Sequence, residues 1–327
     1  MPIAIVAEKP GGPEVLHQIE QARPPLGKGE VLLRHAAIGV NFIDTYFRSG
    51  LYPWPVEKNL ILGSEAAGVV IAVGEDVTDF KAGDRVAYTI PNGAYVTERV
   101  IDERHLVRLP AAISDEVAAA SMLKGLTAHY LLHRSFHVRK GQTVLFHASA
   151  GGVGLIAGQW LAAKGVTAIG TAGGAEKCEL ARQHGYAHMI DYTRENFVER
   201  VAELTAGKGA DAVYDSVGKD TYPGSLNCLK TFGTFVSFGQ SSGPIEDFKL
   251  SDLAAGSYTA TRPVLFHFTS DPEYLKTASS ELFDMIQSGA LKINVNQRYA
   301  LSEAAEAHRA LEGRKTTGST VLIPKTA

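Results

Sequence analysis

The strongest constraint in this sequence is a strand–helix alternation between Thr143 and Phe238. Runs rich in β-branched and aromatic residues, Thr143–Ala148, Val166–Thr171, His188–Tyr192, Ala212–Ser216 and Thr234–Phe238, read as strands. Between them Gly152–Lys164, Glu176–His184, Glu195–Thr205 and Tyr222–Leu229 read as helices, the second ended by Gly185. Such a rhythm predicts an α/β fold with a doubly wound parallel sheet, because parallel neighbours need a crossover of about a dozen residues or more.

The turn after the first of these strands carries chemistry. The segment FHASAGGVG, Phe146–Gly154, fits SxGxxG, a variant of GxGxxG with Ser149 at the first glycine position. Gly151 lets the backbone approach a pyrophosphate, and Gly154 lets the helix pack closely on the strand. The helix N-terminus offers unpaired N–H groups and the positive end of its dipole. A glycine pattern alone is weak, but strand, turn, helix and second strand follow in the required order. The alternative is a purely structural glycine turn.

The end of the second strand bears on which dinucleotide binds. An acid about 20 residues after the glycines holds the ribose 2′-hydroxyl of NAD. Here the stretch is GTAGGAEK, Gly170–Lys177, and the strand end has no acid. Glycines leave room, and Lys177 follows one helical turn later. Tyr192, at the end of the third strand, adds a hydroxyl. This pattern favours NADPH, whose 2′-phosphate an acid would repel and a lysine attract. The alternative makes Lys177 a solvated face residue and Tyr192 a packing residue; Glu176, beside Lys177, is expected to point away. Ligands of open α/β sheets lie at the carboxyl ends of strands, so Asp215–Gly218 and Phe238-Gly239 are further candidates, or ordinary turns.

The rest of the chain has a different texture. In the first third, short runs (Glu30–Arg34, Ala66–Val73, Arg85–Thr89, Tyr95–Val100) are separated by turn signals such as Lys28-Gly29-Glu30 and Asn92-Gly93. A compact β-rich barrel is expected there. From Ser114 to His137 the sequence reads as one helix, with Ser114 as N-cap and Asp115 and Glu116 in the first turn. After Arg262-Pro263 the rhythm changes again: Pro272–Gln287 is helical, and Val295–Tyr299, Ser302–Leu311 and Ser319–Pro324 read as strand, helix and strand. The chain therefore builds one domain over residues 1–124, a nucleotide-binding domain over 125–262, and returns to the first over 263–327.

The 327 residues suit two domains, and a formal net charge of −3 does not suggest a nucleic-acid or membrane-surface protein. Two cysteines, Cys178 and Cys228, far apart and without a CxxC pair, argue against a disulfide framework and fit a reducing compartment. The apolar run at the N-terminus ends at Glu8 and Pro10, too short for a signal segment, and no run reaches the roughly 20 residues of a membrane helix. A cytoplasmic location is expected.

The glycine segment, together with GVNFIDTYFRSGLYP (Gly39–Pro53), LGSEAAGVV (Leu62–Val70), GDRVAY (Gly83–Tyr88) and VYDSVG (Val213–Gly218), resembles the zinc-free, zeta-crystallin-like quinone oxidoreductases of the medium-chain dehydrogenase/reductase superfamily. The resemblance spans nearly the whole chain. It implies a GroES-like catalytic domain, an inserted Rossmann domain, NADPH as cofactor, a quinone as small-molecule substrate, and a homodimer. Carried over, the catalytic residues would be Asn41, Asp44, Tyr46 and Tyr52. The cofactor would lie against Ala150, Gly151, Gly152 and Val153, with its 2′-phosphate near Gly173, Lys177 and Tyr192. Ser216 and Phe238 would lie near its ribose and nicotinamide end, flanked by Val264, Leu265 and Phe266, with Arg314 near the C-terminal end of the site.

Zinc alcohol dehydrogenases of that superfamily carry Cys where Asn41 stands and His where Ser64 stands, so no bound metal is expected. Without a Lewis acid an alkoxide is not stabilised at neutral pH, whereas a quinone or enone is already activated by conjugation. His129, His133 and His137 share a helix spacing of i, i+4, i+8 but lack the carboxylate of an HExxH site. His147 and Ser149 do not form a GxSxG nucleophile elbow. The alternatives to a quinone reductase are an enone or alkenal reductase, and a non-catalytic NADPH-binding protein, against which the polar set Asn41, Tyr46 and Tyr52 argues.

Overall fold

The computed structural model describes residues 1–324. The chain forms two compact units. The first comprises Met1–Leu126, Phe266–Gln287 and the segment from Ile293 onward; the second comprises Thr127–Leu265 with Ser288–Lys292.

In the second unit six parallel strands run in the spatial order His188–Asp191, Thr167–Ala172, Thr143–Phe146, Ala210–Asp215, Leu229–Ser237, Thr259–Thr261. Counted along the chain this is 3-2-1-4-5-6, the doubly wound Rossmann order. The order reverses at Thr143–Phe146, which lies between Thr167–Ala172 and Ala210–Asp215. Its residues Val144, Leu145 and Phe146 are buried, as are Ala212, Val213 and Tyr214 beside them. Central strands covered on both faces read as unbroken apolar runs, which is why the sequence shows them so clearly. Helix Gly152–Ala163 buries Leu155, Ile156, Trp160 and Leu161. It packs close to the turn that precedes it: a Cβ on Gly154 would stand 2.6 Å from the carbonyl oxygens of Ala148 and Ser149.

The first unit is built on a seven-stranded sheet. Along its main path lie Val295–Ala300, Ser319–Ile323, Glu30–Val40, Glu65–Val73, Arg85–Thr89 and Leu106–Arg108. All these pairings are antiparallel except that of Val295–Ala300 with Ser319–Ile323. The long strand Glu30–Val40 is the hub. Its first half also pairs with Glu98–Asp102, and its last residues pair with the C-terminal strand. Val31, Leu33, Ile38, Tyr88 and Tyr95 fill the core. The expected β-rich first unit and Rossmann sheet are both present, the former as a mostly antiparallel seven-stranded sheet whose main path runs from Val295–Ala300 to Leu106–Arg108.

Several local expectations need correction. The segment Ser114–His137 is not one helix but Asp115–Ala119, Met122–Tyr130 and a π-helical turn Leu131–Ser135. At the first break Ser121 Oγ donates to the Val117 carbonyl (2.7 Å), a side-chain bond that competes with helix continuation. Tyr95–Val100 is not one strand: the strand is Glu98–Asp102, and Val96 makes an isolated bridge to Ala4. The helix read at Tyr222–Leu229 shrinks to Gly224–Asn227, because the next strand already starts at Leu229. Helix Phe42–Ser49 was not legible in the β-rich texture around it.

Candidate active site

In the first unit the polar residues gather where strand Glu30–Val40 gives way to helix Phe42–Ser49. Asn41 is the N-cap, with extended backbone (φ −138°, ψ 155°). Its N–H donates to Asp44 Oδ2 at 2.8 Å, so the acid at the third helical position reaches back to the cap. Gly50 at φ 80° ends the helix. This Asn-x-x-Asp start and glycine stop are the local signal that marks the helix.

Asp44 is fully buried, and its own chain occupies both carboxyl oxygens. Ser64 Oγ donates to Oδ1 (2.9 Å), and Tyr95 Oη donates to Oδ2 (3.1 Å). Tyr95 Oη also lies 2.9 Å from His308 Nε2, and Arg48 Nη1 lies 3.2 Å from His308 Nδ1. Arg48 can only donate, so Nδ1 accepts and the ring proton sits on Nε2, facing Tyr95. Arg48 closes the chain with a two-pronged contact to Glu312, at 2.8 and 2.7 Å. Burial raises the Asp44 pKa to about 7, against the pull of the Asn41 N–H, Ser64, Tyr95 and Lys124. Burial, with Arg48 beside it, lowers His308 to about 3. Asp44 thus fixes the start of the helix that carries Asn41 and Tyr46, rather than presenting a carboxyl group at a surface.

A second buried carboxylate orients Asn41. Glu65 is fully buried. Its Oε1 accepts from Asn41 Nδ2 (2.9 Å) and Lys124 Nζ (2.5 Å), and its Oε2 accepts from the Leu123 N–H (2.7 Å). A carboxylate has no proton to give, so the Asn41 amide nitrogen must face it. Lys124 itself is 5% exposed. Ser64 was read only as standing where a zinc ligand would, and none of Glu65, Lys124, Tyr95 or His308 stood out as a site residue in the sequence.

This set does not fit zinc. An amide stands at position 41, and Ser64 spends its proton on Asp44. Both carboxylates in reach are committed: Asp44 accepts from the Asn41 N–H, Ser64 and Tyr95, and Glu65 already carries an ammonium that would repel a dication. Tyr46 is buried and Tyr52 half-buried; their rings meet edge-on at 5.3 Å, with Phe47 edge-on to Tyr52 at 5.5 Å. Arg314 is exposed just after helix Ala304–Glu312, with a left-handed φ of 56°. In the second unit His129 and His133 stack at 4.4 Å, both edge-on to Trp160, while His137 is exposed beyond the π-helical turn.

The glycine turn of the second unit lies where the strand order reverses. Ala148 adopts φ 54°, and Ser149 Oγ donates to the Phe146 carbonyl at 2.8 Å, a structural bond. Ala150 is buried; Gly151, Gly152 and Val153 are partly exposed. Gly151 is the N-cap of the helix, with no side-chain cap, and the first turn carries no acid. A Cβ at Gly151 would stand 3.2 Å from the Ala148 carbonyl oxygen, a tight approach to backbone. Strand Thr167–Ala172 runs directly into Gly173, where a Cβ would sit 2.7 Å from Tyr192 Oη. A larger residue there would make the exposed Tyr192 side chain shift. Lys177 lies on helix Ala175–Arg182, half-buried. Ser216 and the Phe238-Gly239 turn are neighbours: a Cβ on Gly239 would stand 2.9 Å from Ser216 Cα, and the Phe238 N–H donates to the Asp215 carbonyl at 2.8 Å. Val264 is exposed and Leu265 buried at the end of the unit, and Phe266 begins the next segment of the first.

Residues 27–140 match the alcohol dehydrogenase GroES-like domain, and residues 184–322 match the zinc-binding dehydrogenase family. A quinone oxidoreductase of Pseudomonas aeruginosa is 54% identical over 316 residues, covering 96% of this chain and 97% of the relative. The chain belongs to the quinone oxidoreductase family of the medium-chain dehydrogenase/reductases. Two solved structures agree. A Pseudomonas syringae quinone oxidoreductase superposes with a TM-score of 0.97 at 48% identity, covering 99% of this chain and 100% of that one. An Escherichia coli quinone oxidoreductase complexed with NADPH superposes at 0.96, also 48% identical, covering 98% and 100%. One matching description names zinc, whereas Asn41 and Ser64 stand here and their polar atoms bond to Glu65 and Asp44.

The Asp44 network makes a signed prediction about pH. With a folded pKa of about 7 and an unfolded one near 3.8, folded Asp44 binds more protons than unfolded Asp44 in between. Wild-type stability therefore loses up to about 1.4 kcal/mol per pH unit from this group as pH rises through that window. The Asp44→Asn variant lacks this loss. Its stability relative to wild type, from denaturant melts, should climb between pH 4 and 7 and level off above; a difference independent of pH would contradict the assignment.

Proposed function

We propose that the chain is an NADPH-dependent quinone reductase that works without zinc. The observation that carries this reading is the Asn41–Glu65–Lys124 cluster: it orients a polar amide with an ammonium where a metal-dependent dehydrogenase needs ligands. A substrate for such a site has to arrive already activated, as a conjugated quinone does. The relatives named as quinone oxidoreductases, and the neighbour holding NADPH, support the same reading.

In this reading the helix N-terminus at Gly151, Gly152 and Val153, with Ala150 behind it, takes the pyrophosphate. Gly173, Lys177 and Tyr192 take the 2′-phosphate. Ser216 and Phe238 meet the ribose and nicotinamide end, which Val264, Leu265 and Phe266 flank, with Arg314 near the end of the site. NADPH, when bound, supplies a hydride. The chain's own residues orient the acceptor: Asn41, Tyr46 and Tyr52 hydrogen-bond its oxygens, and Asp44 and Glu65 hold Asn41 in place. The two tyrosine hydroxyls donate hydrogen bonds to the acceptor, and water delivers the final proton. A homodimer fits the open edge of strand Thr259–Thr261, which ends the parallel sheet. A cytoplasmic location fits two buried cysteines that are both free, and no helix among the described residues is long and apolar enough to cross a membrane.

Cofactor choice is tested at Lys177. A charge-assisted contact to the 2′-phosphate is worth roughly 1.5–3 kcal/mol, or about 10- to 150-fold in affinity. Lys177→Ala should weaken NADPH binding by that order in fluorescence titrations and leave NADH nearly unchanged. Equal losses for both would assign the lysine to the fold.

The acceptor side is tested by the double variant Tyr46→Phe/Tyr52→Phe. Quinone turnover should fall by about tenfold, less than the ~10²–10³ of donors in fully dry sites, while NADPH affinity holds. Full turnover with several quinones would remove both tyrosines from the substrate site.

A further inference from the structure

His147 follows directly on the strand at which the sheet order reverses, and it is 1% exposed. Its N–H donates to the Tyr214 carbonyl at 3.0 Å. Its ring reaches to both neighbouring strands. Nδ1 lies 2.9 Å from Thr171 Oγ1, near the end of strand Thr167–Ala172. Nε2 lies 3.1 Å from Ser225 Oγ, which donates to Asp215 Oδ2 at 2.7 Å, at the end of strand Ala210–Asp215. The Phe197 ring stands edge-on to the imidazole at 5.0 Å.

The proton positions follow from the chemistry. Ser225 spends its one proton on Asp215, so it accepts from His147 Nε2–H. Nδ1 then has no proton and accepts from the Thr171 hydroxyl. Donation runs one way, from Thr171 through His147 and Ser225 to Asp215. Burial lowers the His147 pKa, with Asp215 pulling the other way, which keeps the ring neutral in this role.

Both ends of this chain shape turns. The Thr171 carbonyl accepts the Ser149 N–H at 3.0 Å, tying down the glycine turn. Asp215 Oδ1 accepts the N–H groups of Val217 (2.8 Å) and Gly218 (3.0 Å), fixing the turn that presents Ser216. A dinucleotide bound across the point of reversal rests its two halves on opposite sides of it.

We propose that His147 is a positioning residue for the dinucleotide, a crossbar that holds the glycine turn and the Asp215–Gly218 turn at the spacing a whole dinucleotide spans. The inference rests on the cofactor reading above and adds that affinity for the whole molecule exceeds affinity for its adenosine half partly because of this chain. No hydrolytic or nucleophilic role falls to Ser225, whose hydroxyl is fully buried and committed at both ends.

The test compares two ligands, NADPH and adenosine 2′,5′-bisphosphate, which in the reading above reaches Gly173, Lys177, Tyr192 and, through its 5′-phosphate, the glycine turn, but does not extend to the Asp215–Gly218 turn. Dissociation constants are measured for wild type, Ser225→Ala and His147→Phe, with thermal melts alongside. Loss of the crossbar should raise the NADPH constant by about tenfold, the equivalent of one hydrogen-bonded link, and move the bisphosphate constant by less than about threefold. If His147→Phe does not fold, Ser225→Ala, the smaller change, carries the comparison. Equal weakening of both ligands would mean general loosening, and unchanged NADPH binding would mean no positioning role; either result overturns the inference while leaving the cofactor reading intact. Wild-type protein that binds no NADPH would overturn both.

Discussion

A carboxylate sealed away from water must be neutralised by its own chain, and in the first unit that demand falls on Glu65. Three donors converge on it from two places in the sequence: the Asn41 amide, and the Leu123 N–H and Lys124 ammonium from helix Met122–Tyr130. Breaking a buried pair by removing one partner typically costs about 3–5 kcal/mol, because the other charge is stranded. The pair therefore fixes where the strand Glu65–Val73, the start of helix Phe42–Ser49 and helix Met122–Tyr130 meet. It also occupies both oxygens of that carboxylate with donors of the chain itself.

The second unit depends on geometry more than on charge. Reversing the strand order at Thr143–Phe146 opens a crevice at the carboxyl ends of the strands, and the glycine turn lets a helix N-terminus face it. What keeps the crevice at a defined width is a set of side chains at the strand ends. His147 is suited to that task because an imidazole carries a donor and an acceptor on opposite edges of one rigid ring. The two units thus solve related problems differently, one with a buried ion pair and the other with a neutral directional chain.

Much of the fold was legible because its signals are local. Strand Arg85–Thr89 and helix Pro272–Gln287 fall where the periodicity places them, and five parallel strands lie where expected with their ends displaced, most of all Leu229–Ser237, which starts well before Thr234; the edge strand Thr259–Thr261 was not read. The glycine turn and the acid-free end of the second strand were visible for the same reason. Helix Phe42–Ser49 had a local signal in Asn41, Asp44 and Gly50, but at eight residues it was hidden among strands. The networks were not legible. Glu65 and Lys124 are 59 positions apart, and Tyr95 and His308 are 213 apart; no spacing rule links such residues until the chain has folded. His147 shows the limit well. In the sequence its neighbours are Phe146 and Ala148, whereas its partners in space are Thr171 and Ser225.

The central claim is reduction of a quinone by NADPH without a metal, and it is tested most directly by the loss of nicotinamide absorbance when 1,4-benzoquinone is added to NADPH. Protein exhaustively dialysed against a chelator is compared with untreated protein and with an enzyme-free control. The account predicts turnover well above the control, equal in the two protein samples, and faster with NADPH than with NADH. Activity that vanishes on chelation and returns with added zinc, or a rate no greater than the control, would contradict it.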